Sequence, residues 1–360
     1  MPSEADRETY IGLEHLDSGS LTVTRWGSDV DIKGQKLVMH KGDILFGRRN
    51  TYLKRAAIAP HDGLFSAHGM IWRPKEDVVD AGFFPFFVSS DYFMDEAIRI
   101  SVGSLSPTIN WRDLKELEFD LPDIDTQRKL STLLWAMERA KTAYKNLIAR
   151  TDELVKSQFV EMIQPLLDTG NTIPLGELVE TDRPITYGIL KPGTGFPGGV
   201  PVVKVKDMKD GLIDQSDLLL TSPEIDNSYK RSRLRAGDLL ISIRGSVGRM
   251  AEVPENLENA NIPQDTARLT IKKEYNKVYV RGVLESQPLQ HDMEKNIRGV
   301  AVKGINIGYL RELGIPMCSR SKQDELAALY IQSDKSKFAA QQALADLTAT
   351  QKALMRQYLG

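Results

Sequence analysis

Two long stretches of the chain carry an apolar or small residue at alternating steps of three and four. No glycine or proline interrupts residues 130–154 or 326–354. Such a heptad pattern predicts two long amphipathic helices, each with one seam that packs against a partner helix. The predicted seam positions are Leu130, Leu133, Met137, Ala140, Tyr144, Leu147, Thr151 and Leu154 in the first helix, and Leu326, Leu329, Ser333, Ser336, Ala340, Ala343, Leu347, Thr350 and Leu354 in the second. Because neither helix is apolar on all sides, we expect an antiparallel pair; two separate helices, each lying on its own domain, are the alternative.

Polar and helix-breaking residues predict where these helices begin and end. Residues 125–126 and 321–322 stand where N-caps belong, and Pro165 and Gly360 stand at the far ends. We therefore place the two helices at residues 123–167 and 321–360.

The remaining sequence has a different pattern. Short apolar runs such as 202–205 and 239–243 are bounded by turn signals such as 60–63 and 209–211. This pattern predicts strand-rich globular domains at residues 1–122 and 171–320. The expected fold class is α/β, in the α+β sense, with two globular domains joined by two long antiparallel helices that form a coiled-coil spacer.

The chain contains two collinear copies of one sequence unit. Residues 42–45, Gly-Asp-Ile-Leu, recur with one conservative change at 237–240, an offset of 195. Residues 109–110, Ile-Asn, recur at 305–306, and Gln127 recurs as Gln323, now at an offset of 196. A drift of one residue is what a duplicated unit with loop insertions shows.

The first copy is shorter at its start. When residues 10–13 are aligned with 202–205, about thirty residues from 173 to 201 have no counterpart before Tyr10. We therefore expect the first globular domain to be truncated at its N-terminus, whether a true start lies upstream or this copy is naturally shorter.

The overall charge is near neutral, but its distribution is not. Lys and Arg number 47 against 49 Asp and Glu, a formal net charge of -2. Two segments at equivalent positions of the repeat are nevertheless basic, with a single acid each. They carry Lys33, Lys36, Lys41, Arg48, Arg49, Lys54 and Arg55 against Asp43, and Lys230, Arg231, Arg233, Arg235, Arg244 and Arg249 against Asp238. A solvated charged face would explain one such segment; two matched segments favour nucleic-acid binding.

No pattern of an enzyme or a metal site stands out. The Gly-x-Gly-x-x-Gly match at 193–198 is flanked and interrupted by prolines and precedes a strand, so it is interpreted as a loop. There is no Walker A lysine motif and no Asn/Asp-Pro-Pro-aromatic methyltransferase loop, and the five histidines lack metal-ligand spacing. Asp43 and Asp238 are better explained as turn residues that accept backbone N–H groups than as metal ligands.

The cellular context follows from what the sequence lacks. A single cysteine, Cys318, excludes an internal disulfide and a cysteine-rich zinc site. The polar N-terminus carries no signal peptide, and no apolar run approaches the ~20 residues that span a bilayer. We therefore expect a cytoplasmic protein that does not associate with membranes.

Several of these segments together carry a family resemblance. Residues 109–110, followed by the heptad helix that opens at Gln127 and ends at 159–163, resemble a conserved-region boundary of type I restriction–modification specificity subunits. Residues 202–208 and 237–248 resemble further parts of the same family. The resemblance covers nearly the whole chain, and two copies in the right order make it specific.

The resemblance implies a sequence-specific DNA-recognition subunit without catalytic residues. Each globular domain would be a target-recognition domain that reads half of a bipartite site in double-stranded DNA. The helices would set the spacing of the half-sites and dock the methyltransferase (modification) subunits, with positions such as Arg139, Lys145, Arg150 and Lys156 facing outward. About thirty helical residues span about 45 Å, more than one duplex turn of about 34 Å.

The same resemblance implies that this chain holds no cofactor. S-adenosylmethionine, ATP and Mg²⁺ are expected on the partner subunits, which include a restriction/translocase subunit, and DNA methylation and endonuclease activity would reside there. The DNA contacts implied for this chain are Lys41, Arg48, Arg49, Lys54, Arg55, Lys204, Lys206, Arg233, Arg235, Arg244, Ser246 and Arg249. Two other functions stay open: a DNA-modifying or DNA-cleaving enzyme with its own carboxylate site, and a coiled-coil scaffold for protein interactions.

Overall fold

The computed structural model describes residues 5–299 and 303–359. The chain divides into two compact units, residues 1–145 with 341–360 and residues 146–340. Both long helices therefore contribute to both units.

The first unit combines short strands with helices. Its strands are β1 (Leu37–Met39), β2 (Ile44–Gly47), β3 (Ala56–Ile58), β4 (Gly63–Phe65) and β5 (Gly69–Trp72). Its helices are α1 (Ala5–Glu8), α2 (Phe84–Ser89), α3 (Asp91–Arg99), α4 (Trp111–Leu114) and the first half of α5 (Ile124–Asp168), with 3₁₀ turns at Leu13–His15 and Thr51–Leu53. Strand β2 lies between β3 and β5 in an antiparallel sheet, and β1 pairs with β4.

The apolar pattern explains the core of this unit. All four residues of β2 are buried, as expected for an uninterrupted apolar run at the centre of a sheet. The aromatic run at residues 83–87 forms the start of α2 and is buried against this sheet, together with Phe93 of α3. The Ser90 hydroxyl accepts a hydrogen bond from the Phe93 backbone N–H, so Ser90 ends α2 and caps α3.

The second unit repeats this arrangement with more strands. These are β6 (Thr172–Pro174), β7 (Thr186–Tyr187), β8 (Val200–Val202), β9 (Met208–Lys209), β10 (Leu212–Ile213), β11 (Leu219–Thr221), β12 (Leu239–Ser242), β13 (Met250–Glu252), β14 (Thr266–Leu269) and β15 (Gly314–Pro316). The helices are the second half of α5, α6 (Leu175–Leu178), α7 (Pro223–Ser228), α8 (Lys277–Glu285), α9 (Gln287–Lys295), α10 (Ile307–Glu312) and the first half of α11 (Arg320–Leu359), with 3₁₀ turns at Val205–Asp207, Lys230–Ser232 and Glu255–Leu257.

The predicted duplication is visible element by element. The antiparallel sheet β13-β12-β14-β7 contains counterparts of β3, β2 and β5, in the same order, and adds β7 at one edge. Helices α2, α3 and α4 correspond to α8, α9 and α10 in the same succession before a long helix. The fold is therefore α/β with two repeated strand-rich domains, as predicted.

One buried glutamine in each copy ties the long helix to its domain. The Gln127 side chain accepts from the Asp80 backbone N–H at 2.9 Å and donates to the Pro122 carbonyl at 2.8 Å. The Gln323 side chain makes the equivalent pair of bonds with Asn276 and Cys318. Each glutamine thus satisfies backbone groups at the point where a long helix leaves its domain.

The long helices pack antiparallel in each unit. In the first unit the Lys141 ammonium bonds to Gln351 at 2.8 Å, and the same lysine pairs with Glu138. In the second unit Lys337 pairs with Asp152 at 3.2 Å, and the Phe159 ring packs edge-on against Tyr330. Residue numbers rise along α5 as they fall along α11, so the predicted antiparallel pair is confirmed.

The seam of α5 differs from the predicted one. Leu130 is buried as predicted, but Leu133, Leu147 and Leu154 are 45%, 50% and 57% exposed. The buried positions of α5 are instead Gln127, Leu130, Ser131, Leu134, Lys141, Val155, Phe159 and Ile163. A shift of one position rotates a helix by about 100°, and the neighbouring residues Leu134, Val155 and Phe159 support an equally long heptad series.

The seam of α11 lies closer to the prediction. Leu326, Ser333 and Ala340 are buried, and Leu329, Leu347 and Leu354 are half-buried. Tyr144 and Met137 on α5 are half-buried as well. Of the small residues predicted for this seam, Ser333 and Ala340 are buried, whereas Ser336 and Thr350 are exposed.

The helix ends also differ by a few residues. The Asp123 carboxylate, rather than residues 125–126, accepts from the backbone N–H of Thr126 at 2.9 Å. Helix α5 continues three residues beyond Pro165 and closes at Gly170, whose φ of +67° is left-handed. Helix α11 begins at Arg320, one residue before the predicted 321, and Gly360 lies outside the described residues.

Candidate nucleic-acid interface

In the first unit the basic loop after β2 is held by a second loop. The Ile109 backbone N–H donates to the Arg48 carbonyl at 2.9 Å, and the Asn50 N–H donates to the Pro107 carbonyl at 2.8 Å. Val102 and Thr108 exchange two backbone hydrogen bonds of 3.0 Å, which closes residues 102–108 into a narrow hairpin loop. The basic loop at 48–55 therefore lies beside this hairpin loop.

The second unit has a basic loop at the equivalent position, beside the backbone pair Arg298 and Gly304. The Ile305 N–H donates to the Ile243 carbonyl at 2.9 Å, and Arg298 and Gly304 exchange backbone bonds of 2.8 and 3.0 Å. The basic loop at 244–249 follows β12 as the loop at 48–55 follows β2. Sequence reasoning identified the basic loops in both copies but missed their hairpin neighbours, although the repeated Ile-Asn pair at 109–110 and 305–306 ends each hairpin.

The two loops present an exposed surface that includes cations. Arg49, Tyr52 and the hairpin tip at Leu105, which is 95% exposed, project from the first unit. In the second unit Ser246, Arg249 and Arg298 are exposed. We call these the first and second two-loop surfaces, residues 48–55 with 102–108 and residues 244–249 with 298–299 and 303–304.

Exposure separates the predicted DNA contacts into two groups. Lys41, Arg49, Arg235 and Arg249 are exposed, and Ser246 is exposed with them. The other cations are partly enclosed by the protein or held in ion pairs. They are Arg48, Lys54, Arg55, Lys204, Lys206, Arg233 and Arg244.

Three predicted contacts are held by acidic partners. The Lys54 ammonium lies 2.8 Å from Asp91 and 2.6 Å from Asp95. Burial lowers the pKa of Lys54, but the hydrogen bonds to these two carboxylates outweigh it and raise that pKa. Arg233 bonds through Nε to Asp226 at 2.9 Å, and Lys206 pairs with Asp217 at 2.8 Å. A cation held this way loses part of its attraction for phosphate.

Other predicted contacts are partly enclosed by neighbouring residues of the protein. The Nε atoms of Arg48 and Arg55 are buried and have no hydrogen-bond partner within the described structure. Arg244 donates to the Gln264 side chain at 2.8 Å. Lys204 and Lys206 line an open cavity of about 450 Å³ together with residues 194–197.

The repeated aspartates are structural residues. Asp43 accepts from the His40 N–H and Asp238 from the Arg235 N–H, both at 2.8 Å, which confirms the predicted turn role. Each carboxylate also binds an arginine, Arg73 at 2.7 Å and Arg183 at 2.8 Å. The hydrogen bond from Arg73 lowers the pKa of Asp43, even though burial opposes the shift.

Three further expectations concern the glycine-rich segment 193–198, metal sites and membrane-spanning helices. Residues 193–198 form no helix and precede β8, so their interpretation as a loop is confirmed. Among residues 5–299 and 303–359, no group of three His, Cys, Asp or Glu side chains is arranged to hold a metal ion. Over the same ranges, no helix is both long and apolar enough to cross a bilayer.

Comparison with known proteins supports the resemblance noted in the sequence. The chain is 32% identical over 201 residues to the type I restriction enzyme EcoBI specificity subunit of Escherichia coli, a match that covers 54% of this chain and 42% of that protein. It is 22% identical over 162 residues to the EcoDI specificity subunit of the same species, covering 43% and 36%. This chain is similar to type I restriction specificity subunits over about half of its length.

The solved structures place the fold in the same group. The S subunit of a type I restriction–modification system from M. genitalium has a TM-score of 0.57 at 14% identity, covering 100% of this chain and 92% of that one. A chain from a structural study of the assembly of a type I R-M system has a TM-score of 0.58 at 19% identity, covering 97% and 90%. No family model matches the sequence. The matched regions span about two fifths of the length of the curated relatives, 42% and 36%.

Proposed function

We propose that this chain is a sequence-specific DNA-recognition subunit of a type I restriction–modification complex. The observation that carries the proposal is the duplication of the two-loop surface. Each copy has an exposed arginine, Arg49 or Arg249, on a loop that is hydrogen-bonded to a hairpin loop. Arginine supplies both phosphate contacts and bidentate contacts with guanine. Residues 1–122 and 171–320 would then be the two target-recognition domains, each reading one half-site.

The long helices would serve as the spacer and as the docking surface for methyltransferase subunits. Helix α5 has 45 residues and α11 has 40, so at 1.5 Å per residue they are about 68 and 60 Å long. Both exceed the span expected from the sequence. Leu147 and Leu154 lie one heptad apart on α5, and both are exposed. An exposed apolar pair of this kind suits contact with a partner subunit, and the expected outer positions Arg139, Lys145, Arg150 and Lys156 are exposed as well.

Catalysis is assigned to other subunits. On this proposal the methyltransferase subunits hold S-adenosylmethionine, the restriction/translocase subunit uses ATP and Mg²⁺, and this chain contributes no catalytic residue. A chain with this role works where the cellular DNA is, so we propose a cytoplasmic location. The homology to specificity subunits supports this division of labour.

The test is a DNA-binding titration with the purified chain, together with an assay of its chemistry. We expect the logarithm of the binding constant to fall linearly with the logarithm of the salt concentration, because basic side chains displace counterions from phosphates. Methylation or cleavage of DNA by the chain alone would support the enzyme alternative instead. DNA binding that is absent or insensitive to salt would support the protein scaffold.

A further inference from the structure

The basic loop of the first unit contains two residues in a left-handed backbone conformation. Asn50 has a φ of +54° and Lys54 has a φ of +47°. The 3₁₀ turn Thr51–Leu53 lies between them. This conformation is sterically unfavourable for a residue that carries a Cβ atom. The loop therefore depends on contacts that hold it in place.

The second copy has glycine at both equivalent positions. The register of β2 with β3 and of β12 with β13 aligns the two loops, so that Asn50 corresponds to Gly245 and Lys54 to Gly248. Both glycines are left-handed as well, with φ values of +73° and +85°. Glycine adopts this conformation without a steric conflict. The first copy thus makes a similar turn with an asparagine and a lysine in place of the two glycines.

Two carboxylates of α3 hold Lys54 in this turn. The Lys54 ammonium lies 2.8 Å from Asp91 and 2.6 Å from Asp95. The two aspartates are four residues apart in one helix, so they lie on the same face of it. In the second copy the corresponding helix, α9, holds the loop through Gln290, whose side chain donates to the Gly248 carbonyl at 3.0 Å. The same point of the loop is therefore anchored by ion pairs in the first copy and by an amide hydrogen bond in the second.

The anchored turn carries the exposed side chains of the first two-loop surface. Arg49 precedes the turn and is exposed, and Tyr52 lies within it and is 58% exposed. The hydrogen bond from the Asn50 N–H to Pro107 holds the start of the turn, and the ion pairs of Lys54 hold its end. Without these ion pairs, a left-handed lysine relaxes toward a more favourable backbone region. Arg49 and Tyr52 would then lose their fixed orientation.

We propose that Asp91 and Asp95 are positioning residues for base recognition by the first unit. By holding Lys54 they keep Arg49 and Tyr52 in one orientation, and they withhold the Lys54 charge from DNA phosphates. This role rests on the proposed function in DNA recognition. Loss of the two carboxylates should weaken base discrimination and, at the same time, strengthen binding that is independent of sequence. A change that merely unfolds the unit would lower both.

The experiment compares the full chain with the double variant Asp91→Asn/Asp95→Asn. In titrations with DNA of random sequence, the slope of log affinity against log salt should become steeper by about 1, because a freed Lys54 ammonium displaces one more counterion. In a selection of bound sequences from a random DNA pool, base preference should fall at one half of the consensus and persist at the other.

Three further variants make the result specific to these ion pairs. Asp95→Asn alone removes a carboxylate that is 67% exposed; it should give a smaller change in the same direction and guards against a folding defect in the double variant. Adding Lys54→Gln to the double variant should return the slope to its wild-type value, because the freed charge is gone. The control Glu96→Gln/Asp125→Asn removes two acids of the same unit that pair with other arginines, and it should leave the slope and the consensus unchanged.

The outcomes separate this role from the proposed function. In the double variant, a slope that does not steepen or a consensus that keeps both halves would overturn the positioning role and leave the proposed function intact. An equal steepening in the control Glu96→Gln/Asp125→Asn would overturn it too, since total charge would then explain the change. Failure of the wild-type chain to bind DNA would overturn the proposed function, and the positioning role with it.

Discussion

At the scale of single residues, each copy pairs an equivalent buried aspartate with an arginine, but the two arginines come from different positions. Asp43 and Asp238 hold equivalent turns through backbone N–H groups, and each is paired with an arginine from a different part of its domain. Arg73 comes from the end of β5, whereas Arg183 comes from the segment before β7. The carboxylate position is thus repeated in the sequence, while its cation is not.

The Asp43 pair predicts a pH dependence of stability. Its carboxyl pKa is lowered in the folded chain, mainly by the hydrogen bond from Arg73. A lowered folded pKa contributes stability above the unfolded pKa of about 3.9, and this stability is lost as pH falls through the folded value. In the variant Asp43→Asn, the free energy of unfolding should therefore change less between pH 5 and pH 2, roughly the range in which such a carboxylate titrates. Denaturant unfolding at several pH values measures the free energy of unfolding. An equal decrease of that free energy with falling pH in both proteins would contradict the prediction.

Charge reversal at one exposed arginine should weaken DNA binding. Arg249 is exposed on the second two-loop surface, so Arg249→Glu should lower affinity and reduce the slope of log affinity against log salt by about 1 to 2. Lys335→Glu is the matched control, because Lys335 is exposed on α11 in the same unit. Anisotropy titrations at several salt concentrations compare the two. Equal losses of DNA affinity in both variants would contradict a specific role for Arg249, because they would depend only on the total charge of the chain.

At the scale of elements, the burial of two adjacent leucines shows how α5 is rotated about its own axis. Leu134 is fully buried and packs with Leu130 in the core of the first unit, whereas Leu133 is 45% exposed. Leu134→Ala should lower the free energy of unfolding by about 2–5 kcal/mol through lost burial and a cavity. Leu133→Ala should change it by about 0.5 kcal/mol or less. Denaturant unfolding of the two variants measures these losses. A larger loss of unfolding free energy for Leu133→Ala than for Leu134→Ala would instead support the seam predicted from the sequence.

The same pair shows how far sequence reasoning reaches for the elements. The heptad repeat correctly predicts two long antiparallel helices, because apolar spacing fixes the helical period. It does not fix the rotation of α5, since Leu133 and Leu134 begin two series of similar quality and only the opposing surface chooses between them. The internal repeat predicts that the two domains are equivalent. Gln127 and Gln323 recur because each is buried and bonds backbone groups at the start of a long helix.

The candidate site is less predictable for a similar reason. A sequence gives the position of a cation but not its neighbours in space. Lys54 and Arg49 look alike in the basic segment, yet Lys54 is held by Asp91 and Asp95 from α3, and Arg49 is exposed. The sequence gives no signal for the hairpin loop at 102–108, because that loop contains no charged residue.

At the scale of the whole molecule, the duplicated surfaces predict separable half-site recognition. Arg49→Glu should reduce discrimination at one half of a bipartite target and Arg249→Glu at the other, because each lies on a different domain. Selection of bound sequences from a random DNA pool, followed by sequencing, gives the base preference at each position. Each variant should keep one half of the wild-type consensus. Loss of both halves in either single variant would show that the domains do not read DNA independently.

The open edge of β5 also affects how this protein behaves at high concentration. An exposed strand edge flanked by apolar side chains is a template for pairing between identical molecules, which natural proteins usually block with charge or with a covering element. In the second copy β7 blocks that edge, and in the described part of the first copy nothing equivalent does. We therefore expect self-association at high concentration to proceed through this edge of the first unit.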